Sequence, residues 1–286
     1  MRLRGFTLIE LVVVIAIISV LMALTVSCLR AAREQARTVV CASHLRQLLL
    51  GMANYEAADG TFPAGFEAPD INDHGRGGRY AGNPMMDMAG RWWFDHILEF
   101  NYATMDGLDV LICPSKRQGD FRLSMDLLCG NYGANLSICR VKDYIRLYKD
   151  GFYGMPLSIS QLRRPSESLL VADSGYCLIS WWHATEEPPV AIPADGPWLQ
   201  YSAYVPGMSI NRDKPLRSGQ AEDAVGGRHP NKTVNVGLAD GSVSVKRPAD
   251  SLLVTKTEDA QWTNSPLWQP VPDRVVEPVT PAATSP

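Results

Sequence analysis

Residues 6–24 read FTLIELVVVIAIISVLMAL, an apolar run long enough to cross the hydrocarbon core of a bilayer. Apart from Glu10, its polar side chains are the hydroxyls of Thr7 and Ser19. A carboxylate in hydrocarbon costs at least about 2.5 kcal/mol and is normally paired, so an acid in this run indicates a function. We therefore expect Glu10 to meet a positively charged partner.

The composition is that of an ordinary folded protein with a mildly acidic balance. The chain has 286 residues, of which 46% are hydrophobic and 20% are charged, and its formal net charge is -3. This length suffices for one large or two small domains with a substantial core. Because there is no basic surplus, no nucleic-acid partner is expected.

The N-terminal segment admits three interpretations from its residues alone. A secretory signal peptide has a shorter apolar core and a small-residue cleavage site, which this segment lacks. A lipoprotein would be acylated at Cys28, but Thr25 lies where the lipidation motif usually has Leu. An uncleaved anchor explains the hydropathy but gives Glu10 no purpose.

Residues 4–11 read RGFTLIEL and, together with the apolar run that follows, resemble the class III leader of type IV pilins and type II secretion pseudopilins. The resemblance implies that a prepilin peptidase cuts between Gly5 and Phe6 and methylates the new amino terminus on Phe6. It also implies that Glu10 pairs with the terminal amine of a neighbouring subunit during assembly. Such a pair offsets the cost of burying either charge alone.

The resemblance implies a structural subunit of a type II secretion or type IV pilus-like filament, without catalytic residues or cofactors. The implied partners are the prepilin peptidase, other pilin or pseudopilin subunits, an inner-membrane assembly platform and membrane lipid. Arg2 and Arg4 favour a cytoplasmic N-terminus, which leaves the head outside the inner membrane. The alternative is a membrane-anchored or pilus-displayed binding module, an adhesin or DNA-uptake pilin, with its ligand site in the glycine-rich stretch 72–90.

The expected fold is α+β and pilin-like, with a long N-terminal helix packed on a head that contains an antiparallel sheet. The expected divisions are a leader at 1–5, a transmembrane helix at 6–29, an amphipathic helix at 30–58, a globular head at 59–265 and a proline-rich disordered tail at 266–286.

Periodicity supports a helix that continues beyond the membrane. Apolar residues recur at steps of three or four at Cys41, Leu45, Leu48, Met52 and Tyr55. This spacing places them on one helical face, which must pack against the head. Asp59 and Gly60, followed by Pro63, end the helix.

Short apolar segments predict the main elements of the head. Residues 92–100 are expected to form a helix, and residues 110–113 and 169–172 are expected to form buried strands. Alternation between Val234 and Val245 around Asp240–Gly241 predicts a β-hairpin.

Further stretches resemble a subgroup of prepilin-type proteins from environmental bacteria. That subgroup reads roughly C-x-x-x-L-[RK]-Q and then Y-x-x-x-x-G-x-[FY]-P, which corresponds here to residues 41–47 and 55–63. The corresponding later segments are Cys113-Pro114-Ser115, Asn131 to Asn135, Leu170 to Ser174, Arg228-His229 and Asp240-Gly241. The spacing from His229 to Asp240 is one residue longer than is usual there, and the loop 230–233 is expected to absorb the insertion.

The chain has six cysteines, of which Cys28 lies at the membrane end of the helix. The other five would face an oxidising compartment in an extracytoplasmic head, so at least one is expected to stay unpaired. We predict a disulfide between Cys41 and Cys113, because Cys41 lies on the core face and Cys113 ends an apolar segment. Cys129 with Cys139 is a second candidate pair. Because the sequence lacks C-x-x-C spacing, no metal site is predicted.

Asp173, His229 and Asp240 could gather at one end of a sheet, around a metal or for general acid–base chemistry. However, Asp240 directly precedes Gly241, Asp173 lies two residues before Gly175 and His229 lies two residues after Gly227. Each is therefore expected in a turn or loop and has a local structural purpose there. No catalytic residue is therefore predicted. The paired tryptophans at 92–93 and 181–182 are interpreted as core or interface and not as a sugar-binding platform.

Overall fold

In the computed structural model, the described residues are 8–67, 91–100, 108–116, 128–141, 152, 154–186, 203–214, 216, 220–255 and 267–268. The leader at 1–5 and the glycine-rich stretch 72–90 lie outside them.

One helix, α1, runs without a break over Leu8–Asp59. It is long and apolar enough to cross a membrane, and none of its most apolar 18-residue stretch is buried against the head. The helix ends where Gly60 adopts a left-handed φ of 83° and its N–H donates to Glu56 O at 2.8 Å. This is the glycine-terminated helix end that the sequence predicts.

The second half of α1 packs on the head through the face predicted from the spacing. Cys41, Leu45, Leu48 and Met52 are fully buried, and Tyr55 packs at the edge of the core. Val39, Val40 and Leu50 point away from the head and are exposed. The single helix therefore has an apolar first half without head contacts and an amphipathic second half that is part of the core.

The described part of the head contains a two-stranded and a five-stranded sheet. The strands are β1 (Phe66–Glu67), β2 (Arg91–Trp92), β3 (Tyr132–Asn135), β4 (Leu169–Asp173), β5 (Leu178–Ile179), β6 (Thr233–Leu238) and β7 (Val243–Pro248). The larger sheet has the order β5-β3-β4-β6-β7, and its neighbours are antiparallel except for β3 and β5. The described residues also form the α-helices α2 (Trp93–Phe100) and α3 (Ala221–Gly226).

The helix α1 lies across the larger sheet and contacts β4, β6 and β7. The predicted α+β pilin-like fold is confirmed, with one parallel strand pair at the sheet edge as an addition to the expected antiparallel pattern. Because α1 covers the sheet, residues at the ends of β4 and β6 face the helix, and the site described below forms there.

The predicted helix near 92–100, the strand near 169–172 and the hairpin turning at Asp240–Gly241 are all present. The predicted strand at 110–113 is wrong. Its first residues belong to a 3₁₀-helix over Leu108–Leu111, and Ile112 N–H donates to Asp109 O at 3.1 Å. A run of four apolar residues is too short for periodicity to distinguish strand from helical turn.

The paired tryptophans belong to the core, as predicted. The rings of Trp181 and Trp182 meet edge to face with centroids 6.1 Å apart, and Trp92 and Trp93 are both buried. The sequence predicts a disordered tail from residue 266, but Leu267 and Trp268 are buried. The Trp268 indole donates to Leu252 O at 2.9 Å, so the core extends to these residues, while 269–286 lie outside the described residues.

Candidate functional site

Two places in the chain gather the residues predicted to have functions. The first is the start of α1, where Glu10 is exposed on the helix among exposed apolar side chains. Gly5 and Phe6 lie outside the described residues, so the cleavage and methylation sites stay predictions. The role of Glu10 in assembly also stays a prediction.

The second place is a buried polar cluster between α1 and the sheet, formed by Cys41, Cys113, Asp173 and His229. These residues come from the core face of α1, the turn after the 3₁₀-helix, the end of β4 and the loop before β6. Their potential ligand atoms all lie within 4.8 Å of one another, and all four side chains are buried.

The distances within this cluster are those of direct contacts. Cys41 Sγ donates to Asp173 Oδ1 at 3.1 Å, and Cys41 Sγ lies 3.5 Å from Cys113 Sγ. His229 Nε2 lies 3.1 Å from Asp173 Oδ2. The imidazole therefore completes a chain of contacts from sulfur through carboxylate to nitrogen.

The predicted proximity of Cys41 and Cys113 is present in the structure, where both are free thiols. The disulfide between them stays a prediction. Cys129 and Cys139, the second candidate pair, are also buried and form no disulfide in the described structure, and Cys129 forms a β-bridge with Tyr176.

Neighbouring polar groups hold the cluster in place. Thr38 Oγ1 donates to Glu34 O at 2.8 Å, so it accepts from His229 Nδ1 at 3.2 Å. Asn235 donates its backbone N–H to Asp173 Oδ2 at 2.6 Å, and its side-chain amide lies 3.3 Å from His229 Nε2. Tyr132 Oη donates to Cys41 Sγ at 3.3 Å.

The electrostatics of the cluster favour a charged pair. Burial alone would raise the pKa of the Asp173 carboxyl, but the His229 charge and the hydrogen bond from Asn235 N–H hold it below its usual value. Burial alone would lower the pKa of His229, but the Asp173 carboxylate raises it to about 10. Without another cation in the cluster, Asp173 and His229 form a buried ion pair at neutral pH.

Arg228, the residue before His229, forms hydrogen bonds with backbone and side-chain groups next to the cluster. Its fully buried guanidinium forms a two-point ion pair with Asp223, with Nη2 at 2.7 Å from Oδ2 and Nε at 3.1 Å from Oδ1. It also donates to Asn131 O at 2.7 Å and to Ser174 O at 2.9 Å. These bonds join α3, β4 and the segment before β3, and so fix the backbone on both sides of the cluster.

The structure brings Asp173 and His229 together but leaves Asp240 out. Asp240 lies exposed in the β6–β7 turn, where its carboxylate accepts from Ser242 N–H at 2.9 Å and Ser242 Oγ at 2.6 Å. It has the local turn role that its Asp-Gly context predicts. Sequence reasoning missed Thr38 and Asp223, although the position of Thr38 one turn before Cys41 on the core face was an available signal.

Two comparisons with protein families give matches. Residues 1–26 match the prokaryotic N-terminal methylation motif. Residues 30–126 match a family described as a protein of unknown function (DUF1559). Searches of curated proteins and of solved structures gave no match.

Proposed function

We propose that this chain, a type IV pilin-like protein by its N-terminal methylation motif, is a structural subunit of a type II secretion or type IV pilus-like filament. In this role it polymerises through α1 after a prepilin peptidase has removed the leader. The proposal rests chiefly on one observation: among the described residues, the head covers α1 only from about Thr38 onward, and the apolar half before it is exposed.

An uncovered apolar helix needs another apolar surface. Burying apolar area gains roughly 25 cal/mol per Å², so such a helix does not stay in water. Membrane lipid covers it before assembly, and the equivalent helices of neighbouring subunits cover it in a filament. A helix that is apolar all round suits both environments.

Glu10 supports assembly in preference to simple anchoring. It lies near the start of the exposed apolar half of α1, where its carboxylate costs at least about 2.5 kcal/mol in hydrocarbon. The methylated amine of Phe6 in a neighbouring subunit supplies the cation in this proposal. Pairing the two charges offsets the cost of burying each one, so Glu10 favours one register between adjacent helices.

The head is suited to a structural role, as expected for a pilin-like protein. Asp173 and His229, the described acid and base that lie closest to a catalytic arrangement, are 0% and 2% exposed. Neither side chain is exposed on the surface of the described head. We infer that their task is internal to the head.

The proposed topology follows from the same resemblance. The N-terminus lies in the cytoplasm, where the prepilin peptidase acts between Gly5 and Phe6, and the head lies outside the inner membrane. An inner-membrane assembly platform and other pilin or pseudopilin subunits are the proposed partners. A displayed binding module, the alternative, would use the same stalk but would not require Glu10.

The test compares Glu10→Ala and Glu10→Gln with wild type at matched membrane levels. Crosslinking between subunits, or recovery of filaments from cells, measures assembly. We expect Glu10→Ala to insert into the membrane but to abolish assembly, and Glu10→Gln to impair it because the ionic attraction is lost.

The matched control is Glu34→Gln, which removes an acid from the same helix outside the apolar half. Glu34 accepts from Arg37 at 2.7 Å on the exposed surface, so its loss should leave assembly at the wild-type level. Wild-type recovery of filaments with Glu10→Ala would overturn the proposal and favour an anchored binding module.

A further inference from the structure

The cluster of Cys41, Cys113, Asp173 and His229 contains the ligand types that a transition metal ion uses in proteins. We propose that these four residues bind a zinc-class divalent ion that fastens α1 to the head. This site does not depend on the filament role, because it lies wholly within one chain.

The ligand set and its spacing fit tetrahedral coordination. Zinc binds thiolate sulfur, imidazole nitrogen and carboxylate oxygen at about 2.0–2.3 Å, which places the ligand atoms of a tetrahedron about 3.3–3.8 Å apart. The 3.5 Å between the sulfurs lies in this range. The contacts of Asp173 Oδ1 with Cys41 Sγ and of Asp173 Oδ2 with His229 Nε2 are slightly shorter, both at 3.1 Å, so either carboxylate oxygen is placed to serve as the fourth ligand. All four potential ligand atoms lie within 4.8 Å of one another, so a contraction of at most about 1 Å brings the set to this spacing.

The groups around the cluster orient the ligands as metal sites require. Thr38 Oγ1 accepts from His229 Nδ1, which directs Nε2 toward Asp173. Tyr132 Oη donates to Cys41 Sγ, and Asn235 N–H donates to Asp173 Oδ2. Metal-bound histidines almost always donate their other nitrogen to an outer partner, and metal-bound carboxylates are themselves hydrogen-bonded.

A metal ion engages all four residues, whereas a disulfide engages only two. A bond between Cys41 and Cys113 would remove the proton that Cys41 donates to Asp173 Oδ1, leaving that buried oxygen without this donor. A divalent ion instead offsets two of the three negative charges of two thiolates and one carboxylate. Binding releases the thiol protons and the proton on His229 Nε2.

The spacing along the chain explains why the sequence does not show this site. The ligands are separated by tens of residues and come from a helix, a turn, a strand end and a loop, so no C-x-x-C motif forms. The absence of that motif therefore excludes only the compact kinds of zinc site.

The first test measures zinc in the full-length chain, purified in detergent with a phosphine reductant and equilibrated with zinc. We expect about one zinc ion per chain in wild type and a loss of most of that zinc in Cys113→Ser and His229→Gln. Cys139→Ser is the matched control, since Cys139 is equally buried outside the cluster and this variant should retain the metal. Tyr132→Phe should bind zinc about 10-fold more weakly.

The second test needs no variant that must fold. Wild-type chain loaded with cobalt(II) should show thiolate-to-cobalt charge transfer and tetrahedral ligand-field bands. Because both thiols are buried, zinc should slow the alkylation of Cys41 and Cys113 below the rate of metal-free protein, and a chelator should restore that rate. Metal-free protein under reducing conditions, together with a Cys41–Cys113 disulfide in non-reducing peptide mapping, would overturn the metal site and support the disulfide. Glu10→Ala should retain the metal, so failure of one proposal is distinguishable from failure of the other.

Discussion

Leu49 of α1 packs directly over Gly237 of β6. A Cβ placed on Gly237 would lie 2.8 Å from Leu49 Cδ1, and both Leu49 Cδ2 and Cγ would lie 3.1 Å from it. Leu49 is 1% exposed and is enclosed by the core. The helix therefore approaches the sheet at a place where β6 has no side chain, and this contact sets the distance between helix and sheet.

Gly237→Ala should weaken the docking of α1 on the head. Overpacking in a closed core costs typically about 1–3 kcal/mol, and we expect that loss in the free energy of unfolding. Chemical denaturation of the full-length chain in detergent, followed by tryptophan fluorescence, measures it. In the double variant with Leu49→Ala, the added methyl group fills part of the space left by Leu49. The stability loss of the double variant should therefore be smaller than the sum of the losses of the two single variants.

The control for this prediction is Leu50→Ala, which changes the neighbouring residue on the exposed side of α1. Because Leu50 is 63% exposed, its truncation should change stability by less than about 0.5 kcal/mol. A Gly237→Ala variant as stable as wild type would contradict the close packing of helix and sheet.

Arg228→Met should strongly destabilise the head. It removes the partner of buried Asp223 and the donors to Asn131 O and Ser174 O. Breaking a buried ion pair costs about 3–5 kcal/mol, because an uncompensated charge stays inside. Adding Asp223→Leu should recover part of the loss, and denaturant titration of the three variants measures this.

A matched control for Arg228 is the exposed pair of Arg164 and Glu167, whose atoms lie 3.1 Å apart at the surface. Arg164→Met should cost no more than about 1 kcal/mol, as is usual for solvated ion pairs. If the two arginine substitutions lowered the free energy of unfolding equally, the buried ion pair of Arg228 would stabilise the head no more than the exposed pair of Arg164 does, which would contradict this prediction.

His183 should make the head sensitive to acid. Burial, with a further contribution from the Lys214 charge, lowers the pKa of His183 from 6.5 to about 3, and its Nδ1 accepts from Ser180 N–H at 3.1 Å. The unfolded chain therefore takes up this proton first as the pH falls. The contribution of the neutral His183 side chain to the free energy of unfolding is complete above about pH 6.5 and is lost progressively toward pH 3.

The test compares wild type with His183→Asn, which keeps an acceptor near the position of Nδ1 but does not titrate. The variant should be less stable at neutral pH because of lost packing. The stability difference should shrink by about 2 kcal/mol between about pH 7.5 and pH 5, since one pKa unit corresponds to about 1.4 kcal/mol. A pH-independent difference in the unfolding free energy would contradict the proposed neutral state of the buried imidazole.

Protein isolated from its native membrane should lack Met1 to Gly5 and carry one methyl group on Phe6. The prediction rests on the match of residues 1–26 to the N-terminal methylation motif. Intact-mass analysis measures both changes at once. A full-length chain, or a chain lipidated at Cys28, would contradict it.

The sequence allowed prediction of those features that repeat locally. The spacing from Cys41 to Tyr55 identified the buried face of α1, and the Asp240–Gly241 turn identified the hairpin. The contact between Cys41 and Cys113 also followed from the core face of the helix, even though residues 110–113 do not form the predicted strand.

What the sequence could not provide is contact between residues far apart along the chain. His229 reaches Thr38 and Asp173 because α1 lies across β4 and β6, and helix-on-sheet packing leaves no fixed spacing in sequence. By residue type, Asp240 was as good a candidate for the cluster as Asp173, but the β6–β7 turn places Asp240 at the surface. Only three-dimensional packing separates the cluster member from the turn residue.

The point at which the head begins to cover α1 also determines how far the head would stand above a bilayer that α1 spans. Between the end of the apolar half and Thr38 lie the eight residues 30–37, which include exposed Arg30, Arg33 and Arg37. At about 1.5 Å per residue this segment is roughly 12 Å long, whereas the headgroup layer is about 5–7 Å deep on each side. With the apolar half in a bilayer, as proposed, the head therefore stands clear of the lipid phosphates. Arg30 and Arg33 then lie at the level of the phosphates and favour a fixed depth of the helix, whereas Arg37 lies beyond them beside Glu34.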